Sequence, residues 1–212
     1  MKYTHILWDF NGTILDDVDV GIESVNALLK KRGLPLIPDA DYYRGVFGFP
    51  IIKYYERLGF DFSVEPFAEL AVEWVDEYMS RVSDASVNKD IVSLIKRGRA
   101  EGLGQVLVSA TEREMLSKQL LEIGIFDLFD EVFGLDNIHA VNKISAAMAW
   151  REKNPSAKAV FVGDTDHDFE TAKAIGADCV LLCGGHQSSE YLLGLGCPVV
   201  RNCRELEQII FG

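Results

Sequence analysis

Residues Ile6-Leu7-Trp8-Asp9-Phe10-Asn11-Gly12-Thr13 run from an apolar stretch straight into a carboxylate and then a Gly-Thr turn. An apolar run without polar alternation suits a strand buried on both faces, as in a parallel sheet covered by helices. A carboxylate at the C-terminal end of such a strand stands where an open α/β sheet gathers its chemistry. Strand patterns at 4–9, 104–109, 131–133, 159–163, 179–182 and 198–200 alternate with helical patterns at 90–101, 112–123, 143–153, 166–175 and 204–211. The alternation predicts an α/β fold with a doubly wound parallel sheet.

One segment breaks the alternation. Residues 16–82 carry no convincing strand pattern. Residues 18–32 are amphipathic with Gly33 as a stop signal, and 65–81 form a second long helical pattern that opens at a proline. Between them, 42–60 is aromatic-rich and broken by Gly45, Gly48 and Pro50. The expected division is an α/β core of 1–15 and 83–212, with a helical cap of 16–82 inserted after the first strand. A lid there would cover the strand end and exclude water. Arg44, Phe47, Phe49, Lys53 and Tyr54 are within it and can reach a substrate, although aromatics at helical spacing favour cap core.

Composition narrows the partners. With 212 residues, 48% of them hydrophobic, the chain can bury a sizeable core. Its net charge of −12 leaves no basic face for a nucleic acid. No stretch approaches the ~20 apolar residues of a membrane span. Residues 1–5 lead into a strand at once, without the apolar segment of a signal peptide, so the expected location is the cytoplasm. Cys179, Cys183, Cys197 and Cys203 are expected as thiols; Cys179 and Cys183 point the same way along a strand, too far apart to chelate easily.

Four elements end in polar residues at one predicted sheet edge: Asp9 with Asn11-Gly12-Thr13; Ser109-Ala110-Thr111 after an apolar strand; Lys143 after Asn142; and the acidic loop Asp164-Thr165-Asp166-His167-Asp168. Asp9 can serve as a covalent nucleophile. Asp164 and Asp168 supply hard oxygens of the kind Mg²⁺ takes. Ser109 and the N–H groups of a following helix can hold a phosphoryl oxygen, and Lys143 adds a point charge. Together they describe a phosphoryl-transfer site. Asp166 reads better as a helix-start carboxylate. Asp16 and Asp17 read as hinge and cap residues; His186, after Gly184-Gly185, can line the site rim but reads better as a loop residue, and so do His139 and His167.

In this order, the Asp-x-x-Gly-Thr and Gly-Asp-x-x-x-Asp patterns with Ser109 and Lys143 between them resemble the haloacid dehalogenase-like hydrolase superfamily. More narrowly, the chain resembles its phosphoglycolate phosphatase and β-phosphoglucomutase branch with a helical cap, over essentially its whole length. The segment 121–134 also reads like that branch's linker. The resemblance implies Asp9 as nucleophile and Mg²⁺ ligand and Asn11 as a ligand through its backbone carbonyl. It implies Ser109 and Lys143 as catalytic phosphoryl holders, with Gly12 and Ala110 beside them in substrate binding. Asp164 would ligate Mg²⁺, and Asp168 would ligate it or hold its water. The implied activity is a Mg²⁺-dependent phosphatase for a small phosphorylated metabolite, through an aspartyl-phosphate.

The chain departs from the pattern at Asn11, where phosphatases of the family place an Asp that protonates the leaving oxygen and then activates water. An amide does neither near neutral pH. Asn11→Asp is accordingly expected to raise turnover. Two alternatives follow: a phosphonatase-like C–P hydrolase, for which Lys53 would be the Schiff-base lysine to test, or a catalytically impaired protein that binds a phosphorylated ligand. The third motif also begins Lys143-Ile144 rather than Lys-Pro.

Overall fold

The computed structural model of the protein describes residues 2–135 and 143–212. In chain order, β1 (His5–Trp8) and the short β2 (Leu15–Asp16) are followed by four helices: α1 (Val18–Lys31), α2 (Ala40–Val46), α3 (Ile51–Arg57) and α4 (Phe67–Met79). The chain returns through β3 (Ser86–Val87) and then alternates: α5 (Lys89–Ala100), β4 (Gly104–Glu112), α6 (Arg113–Glu122), β5 (Glu131–Leu135), α7 (Lys143–Lys153), β6 (Ala159–Gly163) and α8 (Asp166–Ala174). It closes with β7 (Asp178–Leu182), α9 (Ser189–Leu193), β8 (Val199–Val200) and α10 (Cys203–Phe211). His139 and Asn142 lie outside the described residues.

A six-stranded sheet has the order β5-β4-β1-β6-β7-β8, and its pairings are parallel. This is the doubly wound arrangement the alternation predicts. The order reverses between β1 and β6, so a crevice opens beyond the carboxyl ends of those two strands. Side chains alternate between two apolar layers. Ile6, Trp8, Leu107, Val160 and Val162 pack with Ile95 of α5, Leu116 of α6 and Leu206 of α10. Leu7, Val106, Val108, Phe161 and Leu181 face the other way, onto Ala147 and Trp150 of α7 and Ala172 of α8. Both faces are dry, which is why these strands show no polar alternation in sequence.

Helices α1 to α4 bury a third apolar cluster of their own, with Leu28 and Leu29 of α1, Tyr43 of α2, Tyr54 of α3 and Leu70 of α4. The segment is not free of strand, as 16–82 was expected to be. Asp16 belongs to β2, which pairs antiparallel with β3 where the chain leaves and re-enters the α/β layers. Two residues per strand are too few to leave a periodic signal. The expected aromatic stretch 42–60 resolves into most of α2 and the whole of α3, with Gly48 and Phe49 between them. No described helix is long and apolar enough to cross a membrane.

Candidate active site

Asp9 follows the last residue of β1, and Asp164 follows the last residue of β6. The switch point therefore sets both carboxylates at the mouth of one crevice. Asp168, in the first turn of α8, joins them, and one oxygen of each of the three lies within 4.8 Å of the others. Lys143, the first residue of α7, is 3% exposed. Its Nζ donates to Asp9 Oδ1 and, at 2.5 Å, to Asp168 Oδ1. Asp168 Oδ2 accepts from the N–H groups of Asp164 and Thr165 and from Thr165 Oγ1, so this residue caps α8 and orients the lysine together.

Charge in this pocket is unbalanced. Burial, with Asp168 close by, holds Asp9 well above the usual carboxylate range despite Lys143. Burial also pushes Asp164 up to about 6, against the pull of His186. Asp168 moves the other way: burial opposes its charge, but the Lys143 ammonium and the donors around it hold it below the ordinary value. Three buried carboxylates around a single ammonium are a donor set that suits a divalent hard cation.

A second polar group adjoins the first. Ser109, 1% exposed near the end of β4, accepts from Thr111 N at 3.0 Å and donates to Thr111 Oγ1 at 3.1 Å. Thr111 Oγ1 donates in turn to Asn11 Oδ1 at 2.9 Å. On its other side, the Asn11 amide donates to Asp17 Oδ2 at 2.7 Å and to Tyr78 Oη at 2.8 Å. Asp17 is 2% exposed and also receives Tyr78 Oη at 2.6 Å, Gly12 N at 2.8 Å and His186 Nε2 at 3.2 Å. Burial opposes its charge, yet His186 and the other donors hold Asp17 below the ordinary carboxylate value. His186 in turn contacts Tyr43 Oη through Nδ1 at 2.8 Å, and its backbone N–H donates to Asp164 Oδ2 at 2.6 Å. Gly12 is required where it sits: its φ is +73°, and a Cβ would lie 2.2 Å from Asp164 Oδ2.

A family profile of haloacid dehalogenase-like hydrolases matches residues 6–182, a range that holds Asp9, Asn11, Asp17, Ser109, Lys143, Asp164 and Asp168 and stops short of His186. The chain belongs to this family. A candidate pyrophosphatase, PpaX, from Caldanaerobacter subterraneus subsp. tengcongensis is 26% identical over 85% of this chain and 81% of its own length. A phosphoglycolate phosphatase from Caulobacter vibrioides is 26% identical over 92% of this chain and 85% of its own. Among solved structures, the Mycobacterium tuberculosis protein tyrosine kinase A superposes with a TM-score of 0.83 at 18% identity, covering 99% of each chain; that likeness shows the fold alone.

In this haloacid dehalogenase-like hydrolase, the residues expected at the site meet in space: Asp9, Lys143, Asp164 and Asp168 form one contact group, and Ser109 and Asn11 are joined through Thr111. Two expectations change. Gly12 lines the site, but its N–H is taken by Asp17 and the Leu15 carbonyl, which removes it as a donor to substrate. The second and third N–H groups of α6, those of Glu114 and Met115, are likewise engaged, because Glu112 accepts from both. Ala110 is exposed between Ser109 and Thr111. Asp166 is held by Gln187 and Tyr191, in keeping with a structural carboxylate.

The sequence leaves Tyr43 and Tyr78 unread, places Thr111 at the sheet edge without a role of its own, and reads Asp17 as a hinge or cap residue and His186 as a loop residue ahead of a rim residue. Both tyrosines come from the helical segment, and Arg44 of α2 adds hydrogen bonds to the Gly184 and Gly185 carbonyls. Phe47 lies against His186, and Phe49 against His167, with ring centroids 5.2 and 4.5 Å apart. Tyr54 is buried in the helical cluster, as an aromatic at core spacing should be. Lys53 is 60% exposed in its side chain and paired with Glu56.

Proposed function

We propose that this hydrolase is a Mg²⁺-dependent phosphatase for a small phosphorylated metabolite, working through an aspartyl-phosphate on Asp9. The observation that carries the reading is Asp9 itself: a buried carboxylate at the switch point, held by a buried lysine and flanked by two further carboxylates. The 26% identical phosphoglycolate phosphatase supports the substrate class. Residues 16–82 act as the cap, with Tyr43, Arg44 and Tyr78 holding α2 and α4 over the sheet edge. A crevice covered in this way favours a small ester.

Asp9 and Asp164 would hold the Mg²⁺, with the Asn11 backbone carbonyl beside them and Asp168 supporting through Lys143 or a water. The ion would offset charge on the phosphoryl oxygens. The protein's own steps are these. Lys143 and Ser109 hold the phosphoryl oxygens. An Asp9 oxygen forms a bond to phosphorus as the ester oxygen departs with the bonding pair. Water then cleaves the acyl phosphate and releases inorganic phosphate. Asn11 has no proton for the departing oxygen, so aryl phosphates, whose leaving groups need none, should outpace alkyl phosphates by much of the ~10²–10⁴-fold that general acid–base help supplies.

The C–P alternative is not favoured, because the lysine it would use is solvent-exposed and paired with Glu56. Phosphate release from a panel of aryl and alkyl monoesters, with and without Mg²⁺, tests the reading. Calorimetric titration of Mg²⁺ into Asp164→Ala runs beside it and should show weaker binding than the parent. Release of aldehyde from a phosphonate, or binding of esters without product, would replace the phosphatase reading.

A further inference from the structure

The amide at position 11 and the carboxylate at position 17 are complementary in a way that constrains both. Asp17 offers only acceptors, and four donors converge on it: Gly12 N and His186 Nε2 on one oxygen, Asn11 Nδ2 and Tyr78 Oη on the other. The orientation of the Asn11 carboxamide follows from this. Its NH₂ must face Asp17 and Tyr78, which leaves its oxygen towards Thr111 and, through Thr111, towards Ser109. A carboxylate at 11 would set one acceptor oxygen against another at the 2.7 Å contact, beside a side chain 2% exposed. Acceptor facing acceptor in a partly buried site forfeits the bond and leaves both oxygens short of donors.

We propose that residues 11 and 17 work as one amide–carboxylate pair, in which Asp17 is the positioning residue that fixes the Asn11 side chain and the pair accommodates one carboxylate in all, at either position. The geometry supports the exchanged arrangement as well as the native one. An amide at 17 could accept from Gly12 N and His186 Nε2 on its oxygen and donate from its nitrogen to a carboxylate at 11. Tyr78 Oη could still donate to that carboxylate, and so could Thr111 Oγ1. The structure thereby changes the expectation for Asn11→Asp. Alone, the substitution brings a second carboxylate against Asp17; with Asp17→Asn, it brings a carboxylate into a shell of donors.

The kinetic part of this inference rests on the phosphatase reading, but the structural part does not. The test is a double-mutant cycle of parent, Asn11→Asp, Asp17→Asn and the double exchange. Urea unfolding midpoints without metal, and kcat and KM for phosphate release from an aryl and an alkyl monoester, are read for each. Each single substitution should lower the unfolding midpoint, and the double exchange should return it close to the parent. On the alkyl ester, kcat of the double exchange should exceed that of Asn11→Asp by about tenfold or more, the scale of coupling between residues in contact. The alkyl-to-aryl rate ratio should rise in the double exchange, a change that a purely structural role for Asp17 would not cause. Additive midpoints, or a gain in Asn11→Asp alone equal to that of the double exchange, would overturn the pairing. If Asn11→Asp does not fold, a folded double exchange supports the pair and an unfolded one refutes it. Should none of the four release phosphate, the phosphatase reading falls while the unfolding cycle still decides the pair.

Discussion

Asp9 and Asp17 stand eight positions apart on the same sheet edge, both buried, yet the protein treats them in opposite ways. Asp9 shares its pocket with Asp164 and Asp168 and with the single ammonium of Lys143, and burial among like charges holds its carboxyl far up. Asp17 has four donors aimed at it, with burial offset by His186, and its carboxyl is held down. An under-compensated carboxylate is poised to bind a cation or attack an electrophile. A fully satisfied one orders what surrounds it. Burial alone would not distinguish the two carboxylates; the balance of donors against acceptors does.

The sharpest way to break that contrast is to remove each carboxylate in turn. If Asp9 is the nucleophile proposed above, Asp9→Ala should lower kcat for phosphate release by about 10⁴-fold or more, the scale on which loss of a covalent nucleophile is felt. Its stability should change little, since the side chain leaves a crowded group of like charges. Asp17→Ala should show the larger loss of stability, about 3 kcal/mol, because four donors, two of them on the buried Tyr78 and His186, lose their acceptor. Phosphate release and urea unfolding on both variants provide the check. The contrast fails if Asp17→Ala is the more stable of the two.

Lys143 tests the same contrast from the cation side. Burial opposes its charge, but Asp168 and Asp9 raise its pKa, so it stays an ammonium. Lys143→Met should leave two buried carboxylates facing one another and cost about 3–5 kcal/mol without metal. Added Mg²⁺ should recover part of that loss, and more in the variant than in the parent, because the ion replaces missing positive charge. Unfolding curves with a chelator and with Mg²⁺ measure both terms. Equal stabilisation of the two proteins by Mg²⁺ would argue that the carboxylates are not short of positive charge.

How much of this was legible in the sequence follows the same division. The strands β1, β4 and β6 are apolar on both faces, and a chain with such runs separated by helical periods has few folds open to it. Asp9, Ser109, Lys143, Asp164 and Asp168 each close a strand or open a helix, so topology alone carries them to one edge. Asp17 could not be read this way. Its partners Asn11, Tyr78 and His186 lie 6, 61 and 169 positions away, and the tyrosine reaches it only because α4 packs against α1, which Asp17 opens. The two-residue β2 and β3 and the five-residue α9 are too short for periodicity to register.

The effect that varies with pH concerns His186, which ties the two carboxylate groups together. Its backbone N–H donates to Asp164, while its ring faces Asp17 and Tyr43, with the Phe47 ring alongside. Burial works against a charged ring, yet Asp17, with Asp164 and Asp9 further off, pushes its pKa from the ordinary 6.5 up to about 9. The folded protein therefore holds a proton that the unfolded chain releases near 6.5. That contribution is complete below 6.5 and is lost as pH rises through about 9. Within this window it should remove up to about 1.4 kcal/mol of stability per pH unit. His186→Gln keeps an N–H for Asp17 but not the charge, so the variant should lie below the parent at pH 7 and approach it near pH 10. Urea unfolding midpoints across that range provide the measurement. Parallel curves for parent and variant would mean that Asp17 is held by neutral donors alone, and the two carboxylates would then differ less in electrostatics than in hydrogen bonding.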